Sequence, residues 1–168
     1  MSALPAEEVI FDQDAFKQVM RSLAGTVAVI STEDEGRLYG FTATAVCSVC
    51  AEPPTILAIA NRSTRTHAHI VRKGAYAVNL LASRQSSIAQ IFGGKSDDQF
   101  ASVPHVRAEN GVPIILDSAG YLLCQVKQTY DVGTHTIFLG GVVEGHASGL
   151  PPLLYHEGRY GQVLPLVQ

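Results

Sequence analysis

The chain has 168 residues, 46% of them hydrophobic and 16% charged, with a formal net charge of -3. That is enough apolar material for one well-buried core and too little for two ordinary domains, so a single domain over 1–168 is expected. The 12 basic residues form no stripe that could follow a phosphate backbone, which argues against nucleic acid as a partner.

No apolar run approaches the roughly 20 residues of a membrane helix. The N-terminus carries Glu7, Glu8, Asp12 and Asp14 where a signal peptide would be basic and then apolar. Three cysteines, an odd number, suit a reducing compartment better than a disulfide framework. The expected location is cytoplasmic, away from membranes.

In chain order, Asp12 or Asp14 caps an amphipathic helix with Phe16, Val19, Met20 and Leu23 at helical spacing, stopped near Gly25. Strands follow at 26–32 and 38–49, separated by a Glu- and Asp-rich turn up to Gly36. Pro53-Pro54 breaks the pattern before a further strand at 55–60. Ser63 or Thr64 caps a short helix through His67 to Arg72 that ends at Gly74. A strand at 76–81 and a helix at 86–92, closed by Gly93-Gly94, come next. The 95–113 region is polar and turn-rich. Two long strands, 121–130 and 136–147, join around Asp131-Val132-Gly133 and are long enough to close a barrel.

Absent motifs narrow the chemistry. There is neither a Gly-x-Gly-x-x-Gly between strand and helix nor a P-loop, so a nucleotide must bind by another route. No nucleophile elbow is present. Cys47 and Cys50 form a Cys-x-x-Cys, but within or at the end of a strand, where positions three apart face opposite ways, instead of at a helix start. Both are expected to be buried or half-buried structural thiols. His67 and His69 face different ways on their helix, and no metal triad emerges. His135 stands apart, after Gly133 and before the apolar run Ile137-Phe138-Leu139.

The most informative stretch is Gly40-Phe41-Thr42-Ala43-Thr44-Ala45-Val46-Cys47-Ser48-Val49. Its small and β-branched residues, opened by a glycine, leave backbone N–H groups bare enough to meet a flat polar ligand. With Glu52-Pro53-Pro54, Asn61-Arg62-Ser63, Phe92-Gly93-Gly94-Lys95, Gly111-Val112-Pro113-Ile114, Gly133-Thr134-His135, Pro152-Leu153-Leu154-Tyr155 and Gly158-Arg159-Tyr160-Gly161, it resembles the flavin reductase family. These are the small reductase components of two-component flavin-dependent monooxygenases.

The resemblance implies a mainly β fold: a flavin-binding split β-barrel with short peripheral helices, forming a homodimer. It implies reduction of FMN or FAD by NADH or NADPH, with reduced flavin passed to a separate flavin-dependent monooxygenase. A non-catalytic flavin-binding or carrier module on the same barrel is the alternative. By the same resemblance, Thr42, Ala43, Thr44, Ala45 and Ser48 line the isoalloxazine ring, where aimed backbone N–H groups stabilise the charge gathered on reduction. Asn61, Arg62, Ser63 and Thr66 meet the ribityl and phosphate groups, near a helix start whose positive end favours an anion. Lys95 and Phe100 are added to the flavin contacts, and Tyr160 with Arg159 closes the site from the C-terminal segment. His135 is assigned to the nicotinamide dinucleotide as a positioning group rather than an acid or base.

Overall fold

The computed structural model describes residues 12–165, so Glu7 and Glu8 lie outside the described residues. The first element, α1 (Gln13–Arg21), is capped by the Asp12 carboxylate, which accepts the Asp14 backbone N–H at 2.9 Å. Its apolar side chains Phe16, Val19 and Met20 are exposed, as is Leu23 just beyond its end.

After the short β1 (Gly25–Thr26) come β2 (Ala28–Asp34), β3 (Arg37–Ala43), β4 (Val46–Ala51) and β5 (Pro54–Asn61). α2 (Arg65–Lys73) ends at Gly74, whose φ of 69° is the left-handed conformation that glycine adopts without strain. Next are β6 (Ala75–Leu80), α3 (Ser86–Gly93), β7 (His105–Arg107), β8 (Pro113–Ile115), β9 (Gly120–Val132) and β10 (His135–Ala147). β11 (Leu153–His156) and β12 (Arg159–Gln162) complete the chain.

Seven strands form one antiparallel sheet in the order β3-β2-β6-β9-β10-β5-β4. Its two edges, β3 and β4, are consecutive in sequence and joined by Thr44 and Ala45 alone. In a flat sheet those edges would stand about 29 Å apart, whereas the link reaches at most about 10 Å. The sheet must therefore curl until its edges meet at this corner. Beyond the corner β3 and β4 do not pair, which makes the barrel a split one. The bend is tight: Val46 N–H donates to the Thr44 carbonyl at 3.0 Å, and Ile59 N–H to the Ala45 carbonyl at 3.1 Å.

The single strand expected at 38–49 is thus two strands. No glycine, proline or asparagine marks the bend, so local chemistry does not announce it. β7, inside the polar, turn-rich 95–113 region, pairs with β8 at that region's end. β11 and β12 form a hairpin through Glu157 and Gly158, both at positive φ, and β1 joins them in a second small sheet.

Alternation along the strands sorts the core into layers. Ala28 and Ile30 of β2 point into the barrel, where they meet Ile56, Ala58, Tyr76, Val78, Cys124 and Phe138, with Ile70 of α2 plugging one end. Val27 and Val29 point outward, under Ala89 and Phe92 of α3 and under Phe100, Val103, Ile115 and Leu153. Covered on both faces, β2 is buried almost throughout.

Candidate functional site

The outer layer leaves a cleft along the free edge of β3. Gly40, Phe41 and Thr42 form its floor, with Ser63, Thr64, Arg65 and Thr66 on one side. Phe92, Gly93, Gly94, Lys95, Ser96 and Gln99 form the other side, around a cavity of about 450 Å³. A second lobe of about 490 Å³ shares Thr42, Gly93 and Gly94 with the first and continues past Ala43, Thr44, Ala89 and Gln90 to Tyr155 and Tyr160.

The floor is fixed by packing. A Cβ on Gly40 would come within 2.7 Å of the Phe92 ring, so this glycine serves close approach of α3 to β3. It is buried, and its lack of a side chain is absorbed by Phe92 instead of exposing its backbone to a ligand. The Thr42 hydroxyl donates to the Ala89 carbonyl at 2.7 Å and so ties the two elements together. Gln99 Nε2 donates to the carbonyl of Ile91 at 3.0 Å and bridges to that of Gly94 at 3.4 Å, bracing the wall after α3.

The closed end of the cleft is electropositive. At the start of α2 the Thr64 hydroxyl donates backwards to the Asn61 carbonyl at 2.7 Å, so no side chain caps the first helical N–H groups. The Asn61 side-chain oxygen accepts both the backbone N–H and the hydroxyl of Ser63, each at 2.9 Å, which shapes the turn that aims the helix. Thr66 is 3% exposed, lines the cleft and has no hydrogen-bond partner for its hydroxyl among the described residues. Lys95 and Arg65 bring two cations to the same end. Arg65 donates through Nη2 to the Ser96 carbonyl at 2.9 Å and pairs with the Asp97 carboxylate.

Arg65 escaped the sequence reading, although a signal was present. It is a cation in the first turn of a helix that has no acidic residue there, an arrangement the helix dipole disfavours unless an anion completes it. Arg62, the sequence choice for a phosphate, is turned elsewhere: its Nη2 donates to the Gly133 carbonyl at 2.5 Å and its Nη1 lies 3.6 Å from Asp131 Oδ2.

The other sequence candidates are spread around this cleft. Tyr160 lines the far lobe with its ring 5.3 Å from that of Tyr155, opposite it in the β11–β12 hairpin. Burial, and then the neighbouring Tyr155, push the Tyr160 hydroxyl pKa upward. Phe100 lies behind the wall, edge-on to Phe92 at 4.8 Å. Ala45 and Ser48 are exposed at the corner and on β4. His135 is exposed at the start of β10, opposite Asn61, with Nδ1 2.9 Å from the Thr134 hydroxyl, and is not part of the cleft lining.

Two expectations about the thiols need correction. Cys47 and Cys50 are exposed, and only Cys124 is buried. Nor do Cys47 and Cys50 face opposite ways. The register runs Cys47↔Leu57, Ser48↔Ile56 and Cys50↔Thr55, so an extra residue between Ser48 and Cys50 restores a common outward face. Along the edge strand β4 only Val46 packs against the core.

In this split barrel the free edge of β3 ends at an uncapped, cation-flanked helix start. Residues 20–164 match the flavin reductase like domain, and the chain belongs to that family. It is 42% identical over 152 residues to the FMN reductase (NADH) RutF of Pseudomonas syringae pv. syringae, across 88% of this chain and 85% of that protein. It is 34% identical over 154 residues to the reductase component of 4-nitrophenol 4-monooxygenase/4-nitrocatechol 2-monooxygenase from Rhodococcus opacus, across 92% of this chain and 83% of that protein. Among solved structures, the NADH:FAD oxidoreductase of Streptomyces globisporus, in complex with NAD and FAD fragments, matches with a TM-score of 0.86 and 28% identity. That match covers 92% of this chain and 94% of that one.

Proposed function

We propose that the chain is a single-domain, NAD(P)H-dependent flavin reductase that reduces FMN or FAD and supplies reduced flavin to a separate monooxygenase in the cytoplasm. The observation that carries this reading is the cleft itself, a free strand edge leading to the uncapped start of α2, where Thr66, Arg65 and Lys95 converge. The partnerless Thr66 hydroxyl and the two cations fit a phosphate ester, and the small residues from Thr42 to Ala45 fit a flat ring.

In this reading the flavin supplies the hydride acceptor, and the nicotinamide dinucleotide is the donor. Backbone N–H groups between Thr42 and Ala45 that do not pair with β2 would be fixed donors towards negative charge on a reduced ring, with no reorganisation needed. Ser48 meets the ring from across the corner. Asn61 and Ser63 hold the turn beside the ribityl chain, while Thr66, Arg65 and Lys95 hold the phosphate. Tyr155 and Tyr160 shield the far lobe from water. His135, exposed outside the cleft lining with Nε2 unpartnered among the described residues, would contact the dinucleotide as a positioning group.

The working unit is a homodimer. On the outward face of β5 and β10, Leu57, Ile59, Ile137 and Leu139 are only partly buried, with Tyr130 and Val49 exposed beside them. A second copy would cover this apolar stretch. Sedimentation equilibrium is expected to return twice the chain mass, and a monomer at all concentrations would contradict the assignment.

Steady-state oxidation of NADH and NADPH in the presence of FMN, FAD or riboflavin tests the activity. Dinucleotide oxidation is expected to depend on added flavin. If flavin neither binds nor accelerates it, the reading fails.

A further inference from the structure

Next to the cationic end of the cleft, the side chains around Arg65 form a connected cluster. Arg65, His69 and Arg72 recur along one face of α2 at spacings of four and three. His69 Nδ1 sits 2.7 Å from Asp34 Oδ2, and the same oxygen accepts Arg72 Nε at 2.8 Å and Nη2 at 2.5 Å. With the imidazole held this way, the Tyr39 ring stacks on it, centroids 3.5 Å apart and planes 12° from parallel. The Arg65 guanidinium lies 6.0 Å from the centre of that tyrosine ring. A continuous series therefore runs from Asp34 through His69 and Tyr39 to the cation that lines the cleft.

The two partners of Arg65 differ in kind. Asp97 is 89% exposed in its side chain, so an anion in the cleft can displace it at little cost. Tyr39 is half-buried and stacked on His69, which fixes the position of its ring beside Arg65. An arginine has many rotamers, and ordering one on binding costs affinity unless the protein has already ordered it.

We infer that Tyr39 is a positioning residue for the phosphate end of the flavin site: clamped by His69, it orients Arg65 towards the phosphate. This rests on the flavin reading given above. It assigns Tyr39 a role in affinity for the phosphate and none in affinity for the ring.

Riboflavin, which lacks the phosphate, separates the two. Dissociation constants for FMN and riboflavin, from quenching of flavin fluorescence, are compared in wild type, Tyr39→Leu, Tyr39→Phe, Arg65→Ala and the double variant Tyr39→Leu/Arg65→Ala. Arg65→Ala is expected to weaken FMN by about 10-fold or more, the scale of a charge-assisted hydrogen bond. Tyr39→Leu is expected to weaken FMN by roughly 2- to 5-fold, the scale of an exposed cation–π contact. Riboflavin stays unchanged in both, Tyr39→Phe keeps FMN affinity, and Tyr39→Leu adds nothing once Arg65 is gone.

If wild type binds FMN and riboflavin equally, the phosphate reading of this end fails, and the inference fails with it. If wild type prefers FMN but Tyr39→Leu keeps the preference, weakens riboflavin equally or adds fully to Arg65→Ala, the positioning role alone is overturned. Should Tyr39→Leu not fold, His69→Gln reads the same series from its other end. It is expected to weaken FMN about 2-fold with riboflavin unchanged, and an unchanged FMN affinity would overturn the inference.

Discussion

The two edge strands of the barrel leave the same corner, with small residues beside it, yet they end in opposite conditions. β3 is packed from outside: Gly40 lies against Phe92, the Thr42 hydroxyl is tied to α3 and Tyr39 is stacked on His69. β4 has almost no cover, with Cys47, Ser48, Val49 and Cys50 all exposed. Small side chains thus do two jobs. On β3 they let a helix and a cleft approach the backbone; on β4 they leave a surface for a second copy of the chain, as proposed above.

The sharpest way to break this contrast is to add volume on β3. Gly40→Val forces its side chain against Phe92 and is expected to cost about 1–3 kcal/mol by overpacking. It should also distort the cleft floor enough to abolish flavin-dependent NADH oxidation. An unchanged melting temperature together with full activity would show that the floor is not shaped by this contact. Adding volume on β4 instead, with Ser48→Val at an exposed position, is expected to stay within about 0.5 kcal/mol of wild type, measured by urea unfolding.

Thiol labelling sharpens the comparison next. Burial pushes the Cys124 thiol up to about 12, whereas Cys47 and Cys50 lie at the surface of β4. A disulfide reagent at neutral pH is therefore expected to modify Cys47 and Cys50 in the free chain, more slowly where a second copy covers β4, and Cys124 only after denaturation. Because the Cys124 pKa is raised on folding, the unfolded chain ionises first. Stability present below about pH 9 should be lost progressively as pH rises towards about 12. Cys124→Ala should flatten that alkaline decline in equilibrium unfolding.

A smaller effect belongs to the supports behind β3. His69 and then Arg72 lower the Asp34 pKa, so its contribution to stability is present above its ordinary value near 3.8 and is lost as pH falls through the depressed folded value. Thermal melts of Asp34→Asn are expected to show a shallower acid limb than wild type. An unchanged limb would mean that the cluster around Tyr39 is not maintained by this carboxylate.

Much of this architecture was legible because local chemistry carries it. Gly74 ends α2, Glu35-Gly36 turns β2 into β3, and the first half of β10 has the alternation of a half-buried strand. What stayed hidden depends on contacts distant in sequence. The Thr44–Ala45 bend exists because a seven-stranded sheet closes there, and no residue type betrays it. The common face of Cys47 and Cys50 comes from a bulge defined by pairing with β5. Gly40 read as open backbone because Phe92, its packing partner, lies 52 positions away in the chain. Among the basic candidates, Arg62 had the right neighbours in sequence, but it is fastened to Gly133 and Asp131, and the cleft receives Arg65 instead.

The central claim is that the β3 cleft holds the flavin while it is reduced. Anaerobic mixing of NADH with a stoichiometric protein–FMN complex, followed by the visible absorbance of the flavin, tests it most directly. The account predicts bleaching within a single turnover by wild type, and its loss in Gly40→Val even when that variant remains folded by circular dichroism. Bleaching no faster than with free FMN, or equal in wild type and folded Gly40→Val, would contradict it.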